Sequence, residues 1–304
     1  MSKERAITIV IPVYADWPSL KNCLAALKET VDLSRDKVML VNDNGPEADE
    51  IEKNIEKFIT GTKGFSYYRN PKNLGFVGTC NRAVQELDKS GNDVLLLNSD
   101  TKPTVGWLDE MRAVLALSSK HGVVSPRSNN ATITTVPLSS ASQKGIEPEK
   151  SYEVFKKISL KLPRFNIVPV GHGFCMLIRR EPIDEYGLFD KIFGKGYGEE
   201  VDFCQRIRAH GYQSVLANRA YVFHLEARSF THATKAQLLE KNNEIIWSRY
   251  PNYRQDVRDY MSSAVDRESE IERRAGVASP ASRLKRLVKK NPVAHGVARK
   301  ILRR

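Results

Sequence analysis

Val94-Leu95-Leu96-Leu97-Asn98-Ser99-Asp100 joins an unbroken apolar run to two small polar residues and an acid. A run of this length, closed by turn formers, reads as a strand buried on both faces. Towards the N-terminus the same kind of run recurs at Phe65-Ser66-Tyr67-Tyr68, at Val38 to Val41 and at Ile7 to Val13. Between these runs lie helical patterns near Thr79 to Leu87, over Ile51, Ile55 and Ile59, and through Leu20, Leu24 and Leu27. Strand and helix thus alternate, which predicts an α/β fold built on a doubly wound, mostly parallel sheet with both faces covered. In such sheets ligands bind beyond the carboxyl ends of the strands, so the residues that follow each run are the ones to inspect.

On the other side of the run, Val123-Val124 gives way to Ser125 to Lys150, rich in Ser, Thr, Asn and Pro, which reads as a long loop, either a lid or a mobile surface insertion. A strand through Cys175 to Ile178 resumes the body, a helix runs from about Val201 to His210 and stops at Gly211, and Val215 to Phe223 supplies a last strand. Beyond His232 the chain reads as helical until Ala278-Ser279-Pro280 breaks it. This divides the chain into a body over 1–230, a helical extension over 231–278 and a basic amphipathic tail over 279–304.

The formal charge of +12 on 304 residues invites a nucleic-acid reading. Nine of those charges, from Arg283 to Arg304, crowd the tail with no acid among them, so the rest of the chain carries only about +3. The body has no basic stripe interleaved with aromatics, which argues against a nucleic-acid partner. Leu284, Leu287 and Val288 share a helical face among the basic residues, a pattern suited to an anionic membrane surface. Cys23, Cys80, Cys175 and Cys204 form no C-x-x-C pair, so neither a disulfide framework nor a thiolate zinc site is indicated. No apolar stretch is long enough to span a bilayer, and a cytoplasmic protein, either soluble or peripheral on the inner face of the membrane, is expected.

Two acids follow strands: Asp43 in Val41-Asn42-Asp43-Asn44-Gly45-Pro46, and Asp100. Either alone also fits a cap or a turn, but two on one rim point to a site. Asp100 is a hard oxygen ligand suited to Mn²⁺ or Mg²⁺, and His224, which follows the last strand, would complete a metal site with it. The first strand exits through Pro12-Val13-Tyr14, where a proline and an aromatic would flank a base or pack at an edge. Glycine-rich dinucleotide and P-loop signatures are absent. At Gly198-Glu199-Glu200-Val201-Asp202 three acids open a helix, more than capping requires. Asp202 stands four residues before Arg206, which predicts an ion pair and leaves Glu199 and Glu200 freer for catalysis.

Taken in order, Thr8 to Tyr14, Val41 to Gly45, Asn70 to Asn81, Leu96 to Asp100, Gly173 to Arg180, Gly187 to Asp190, Glu199 to Arg206 and His224 to Ser229 resemble a family 2 glycosyltransferase over roughly residues 7 to 230. The resemblance implies the type A glycosyltransferase fold with C-terminal helices, and an inverting transfer of a sugar from a UDP-, dTDP- or GDP-linked donor to a hydroxyl of a glycan or lipid-linked glycan. It makes 1–230 the donor- and acceptor-binding catalytic domain. Asp43 would contact the donor's base or ribose, Asn73 and Gly75 would shape the donor pocket with Pro12, Tyr14, Ser99 and Asp100, and Lys195 and Arg228 would add charge near the phosphates. Asp100 matches the last acid of the family's D-x-D motif, His224 its later metal-binding histidine, and Glu200 its base, with Glu199 and Asp202 as neighbouring candidates. Asn98 stands where the first motif acid often lies, as in rhamnosyl and related transferases, and Glu200 where Asp is more common. Those two departures motivate the alternative of a catalytically silent module that binds a sugar nucleotide or glycan. Polysaccharide assembly is the expected setting by analogy alone.

Overall fold

In the computed structural model, residues 5–138, 147–225 and 232–277 are described. The chain opens with β1 (Ile7–Val13), α1 (Trp17–Thr30), β2 (Lys37–Asn42), α2 (Ala48–Ile59), β3 (Phe65–Arg69), α3 (Gly75–Asn81) and β4 (Asp93–Leu97). It continues through β5 (Thr101–Pro103), α4 (Trp107–Ala116), β6 (His121–Arg127), α5 (Pro148–Ile158), β7 (Phe165–Val168), β8 (Cys175–Ile178) and α6 (Arg180–Tyr186). Last come α7 (Glu199–Arg208), β9 (Gln213–His224), α8 (His232–Arg249) and α9 (Tyr253–Arg274).

Nine strands form one sheet in the order β3-β2-β1-β4-β8-β6-β9-β5, with β7 also on β9. β3, β2, β1 and β4 are parallel, β8 runs against both β4 and β6, and β9 returns parallel to β6. β5 and β7 are antiparallel to β9. Six strands therefore share one direction, and the expected parallel sheet becomes mixed beyond β4. The strands alternate between two cores. Ile9, Ile11, Leu95 and Leu97 face α1, α2 and α4 through Leu24, Ile51 and Met111. Val10, Val94 and Leu96 face the other way, onto Val84, Phe203 and Ile207. Both faces are covered, as the unbroken apolar runs require, and each buried branched side chain contributes about 1.5–3 kcal/mol. Ile246 on α8 and Tyr253, Tyr260 and Met261 on α9 join the second core.

Three local readings are corrected. β6 extends to Arg127, and the polar segment after it is interior: Ser128, Asn129, Thr134, Thr135 and Val136 are all buried. Their polarity is consumed by partners such as Thr134 on the Ala131 carbonyl, and this makes a packed segment rather than a surface loop over 128–138. Second, α5 occupies 148–158 within the expected loop; residues 139–146 lie outside the described residues. Third, the helix expected near Thr79 starts at Gly75 and ends in a π-helical turn over Arg82–Leu87.

Candidate active site

The antiparallel ladder between β5 and β9 sets Thr101 opposite His224, and the Leu225 amide donates to the Asp100 carbonyl at 3.0 Å. His224 Nε2 consequently stands 3.7 Å from Asp100 Oδ1. Its other ring nitrogen, Nδ1, lies 2.8 Å from the Asn130 carbonyl, an acceptor only, so Nδ1 donates there and Nε2 is the ring nitrogen turned to Asp100. The backbone is held as firmly: Asn129 Oδ1 accepts from the His224 N–H at 2.8 Å while Asn129 Nδ2 donates to the His224 carbonyl at 2.9 Å. Phe174 stacks on the imidazole at a centroid distance of 4.9 Å. A carboxylate oxygen beside an oriented imidazole nitrogen is a donor set that fits Mn²⁺ or Mg²⁺. Among the described residues no group of three His, Cys, Asp or Glu side chains assembles, so a metal here would take its remaining ligands from substrate and water.

Phe174 ends the turn Gly171-His172-Gly173-Phe174, which links this pair to the carboxylates of α7. A side chain at Gly173 would lie 4.0 Å from Glu199 Oε1 and from Glu200 Cδ. His172 donates its backbone N–H to Ser125 Oγ at 2.9 Å, and its Nδ1 is buried with no hydrogen-bond partner. Burial, with the nearby His224 second, pushes the His172 pKa down to about 3, so the ring is neutral.

Gly198, at φ 99°, caps α7 and lets the chain turn sharply enough to project Glu199 and Glu200 from the first turn. Glu200 Oε2 accepts the Gly198 N–H at 3.1 Å. Burial raises its pKa, the backbone N–H groups at the helix start opposing that shift. Glu199 is 4% exposed, and burial, reinforced by the charge of Glu200, holds its pKa well above the carboxylate range. Asp202 is differently occupied. It forms the expected pair with Arg206 at 3.2 Å and also accepts from Arg249 Nη1 at 2.7 Å and Tyr250 Oη at 2.9 Å. These bonds tie α7 to α8 and its end, and they occupy the buried Asp202 carboxylate with fold-building partners.

Asp43, at the end of β2, accepts from Asn70 Nδ2 at 2.9 Å, the Leu74 N–H at 2.7 Å and the Gly75 N–H at 3.0 Å. It thereby folds the 70–75 turn, retaining one of about four lone-pair sites for a ligand. Asn73 is exposed and its Oδ1 also accepts from Gly75, which sits at φ 72°. Tyr14 is 39% exposed beside Gly45, where an added Cβ would fall 2.0 Å from the Tyr14 carbonyl oxygen, so only glycine fits there. Pro12 and Ser99 are half-buried. Lys195 approaches Gly75 backbone to backbone, while Arg228 lies outside the described residues.

Four participants went unnoticed in the sequence: Asn129 and Asn130, which orient His224, and His172 and Phe174. The position of Asn129 and Asn130 just past a strand was the available signal, masked by the loop-like composition around them.

A sequence model described as Glycosyl transferase family 2 matches residues 8–187, more than half of the chain. The chain belongs to glycosyl transferase family 2. No curated protein matches it. Among solved structures it is similar to GalNAc-T7 with UDP, GalNAc and Mn²⁺, at TM-score 0.61 and 14% identity, covering 97% of this chain and 58% of that one. It is similar also to the mannosyltransferase PcManGT from Pyrobaculum calidifontis in complex with GDP-Man and Mn²⁺, at TM-score 0.57 and 15% identity, covering 96% and 81%. TarS 1-349 from S. aureus follows at TM-score 0.53 and 13% identity, covering 87% and 82%. This family 2 chain thus has the type A glycosyltransferase fold, and it spans little more than half the length of GalNAc-T7. No described helix is long and apolar enough to cross a membrane.

Proposed function

We propose that the chain transfers a hexose or deoxyhexose, with inversion, from a nucleoside diphosphate donor to a hydroxyl of a glycan or lipid-linked glycan. The observation that carries this reading is the convergence of the Asp100–His224 pair and the Glu199–Glu200 pair on one short turn, Gly171 to Phe174. An electrophile-binding pole and a basic pole on either side of one gap are what a single displacement needs.

Glu200 is the base. Its carboxylate, raised by burial yet held by the Gly198 N–H, would take the acceptor proton as the hydroxyl oxygen attacks the anomeric carbon. The bond from that carbon to the diphosphate oxygen breaks, and inversion follows without a covalent intermediate. Asp100 and His224 would hold Mn²⁺ or Mg²⁺, a reading supported by the presence of Mn²⁺ in the structures of GalNAc-T7 and PcManGT. When bound, such an ion neutralises charge on the departing diphosphate. The 70–75 turn, built on Asp43, receives the nucleoside together with Tyr14 and Pro12, and Lys195 adds positive charge beside it. Thermal-shift titration with UDP, dTDP and GDP, each with and without Mn²⁺, tests the reading, because a ligand selective for the native state raises Tm. One nucleotide that stabilises the chain only with Mn²⁺ is expected. No stabilisation by any of the three would overturn it, and binding without any sugar transfer would leave a silent sugar-nucleotide module.

A further inference from the structure

The turn that carries the carboxylate pair is held in a strained backbone conformation. In Phe193-Gly194-Lys195-Gly196-Tyr197-Gly198, four residues have positive φ: Gly194 at 56°, Gly196 at 119°, Tyr197 at 71° and Gly198 at 99°. Tyr197 has a Cβ and adopts this region at a steric cost that surrounding contacts must offset. Those contacts come from α8. Asn242, 3% exposed, directs its Nδ2 at the carbonyls of Gly196 and Tyr197, each at 2.9 Å, and of Phe193 at 3.3 Å. One and two turns further on, and just past the helix end, stand Ile246, Arg249 and Tyr250, on the same face. Ile246 Cγ1 would lie 3.4 Å from a Cβ on Gly198, and Arg249 reaches Asp190 at 2.8 Å and Asp202 at 2.7 Å. On its far side the turn meets the donor loop, since a Cβ on Gly75 would be 3.2 Å from the Gly194 carbonyl and from Lys195 Cα.

We infer that Asn242 is a positioning residue for catalysis: by donating to the carbonyls of residues 193, 196 and 197 it locks the turn that aims Glu199 and Glu200 and abuts the Gly75 loop. The inference rests on the reading of Glu200 as the base. It gives the C-terminal helices, which lie beyond the family-matched span of 8–187, a share in the active site. Only a neutral side chain with two N–H donors meets the need. An aspartate of the same shape would set a carboxylate against three carbonyl oxygens.

Asn242→Asp and Asn242→Ala in the full chain separate this role from packing. Hydrogen exchange is read on the amides of 194–200, the affinities of UDP, dTDP and GDP with Mn²⁺ are measured, and kcat is taken with UDP-, dTDP- and GDP-linked hexoses. In the Asp variant, exchange over the turn should rise at least about tenfold. There kcat should fall on the order of 10²-fold while nucleotide affinity stays near the wild-type value. The Ala variant, in which water can donate to the vacated carbonyls, should lie between, and it decides the matter if the Asp variant does not fold. Wild-type kcat in the folded Asp or Ala variant overturns the inference, whether or not the turn exchanges faster. Should kcat fall as expected while Glu200→Gln transfers normally, the assignment of the base fails and Asn242 positions some other group on the turn.

Discussion

Asp43 and Asp100 look alike in the sequence, each an acid one to three residues beyond a buried parallel strand, and the structure uses them in opposite ways. Asp43 is occupied by its own chain, three N–H groups from the 70–75 turn converging on its carboxylate. Asp100 instead meets the side chain of His224, brought by a strand more than a hundred residues away. The same contrast recurs on α7, where Asp202 is spent on Arg206, Arg249 and Tyr250 while Glu199 and Glu200 lie together beside Gly173. An acid whose lone pairs are mostly taken up by its own fold shapes the rim; an acid facing another ligand-type group or a second acid is the one the proposed function assigns to chemistry.

The largest effect should separate the two classes on α7. Glu200→Gln keeps size but cannot take a proton, so single-turnover transfer should fall by about 10²–10⁴-fold with donor affinity nearly constant. Normal transfer by this variant alongside a dead Glu199→Gln or Asp202→Asn would shift the base by one or two positions. Next, Asp100→Asn and His224→Ala should each remove the Mn²⁺-dependent part of the nucleotide thermal shift and leave the Tm of the free protein close to wild type. Unchanged Mn²⁺ titrations would dissolve the contrast with Asp43.

The builder acids should respond in reverse. Asp43→Asn turns an N–H group towards backbone donors, and the loss should be about 1–3 kcal/mol in urea unfolding, with no specific loss of Mn²⁺ response. A stable Asp43→Asn protein with abolished nucleotide binding would make Asp43 a ligand contact first. Glu199 offers a pH-resolved test. Its folded pKa is raised, so its neutral form contributes stability that is complete below the ordinary carboxylate range and is lost as pH rises towards the folded value. Gln cannot ionise, so Glu199→Gln should gain in Tm over wild type as pH climbs from 4 to 8; a gap that does not change with pH would refute the buried-acid reading.

The smallest effect on chemistry is expected for removal of the tail after Ala278, which lies outside the described residues. Turnover of a soluble acceptor should persist while binding to anionic liposomes disappears. Liposome binding that survives truncation would assign the membrane contact elsewhere.

The strands and both rim acids were legible because burial on two faces writes an unbroken apolar run, and a parallel strand must end in something that turns. Pairing was not legible. β5 is three residues long, and its place against β9 is a fact of tertiary structure that no local period encodes. The segment 128–138 misled for a related reason: its Ser, Thr and Asn side chains find buried backbone partners, so composition that usually marks surface marks interior here. The three bonds to Asp43 were equally hidden, since their donors stand 27 to 32 positions away. Asn242 carries no motif at all, and only the carbonyls it faces give it meaning.

The β5–β9 ladder also bears on how this chain tolerates insertions and deletions. Because side chains alternate along a strand, losing one residue between Val222 and His224 would turn the imidazole to the opposite face of the sheet, away from Asp100. Ahead of the ladder the same strand is already paired to β6 and β7, so a change of length there would also be felt. Within those three paired positions it would cost the histidine its place even though every residue of the site was still encoded.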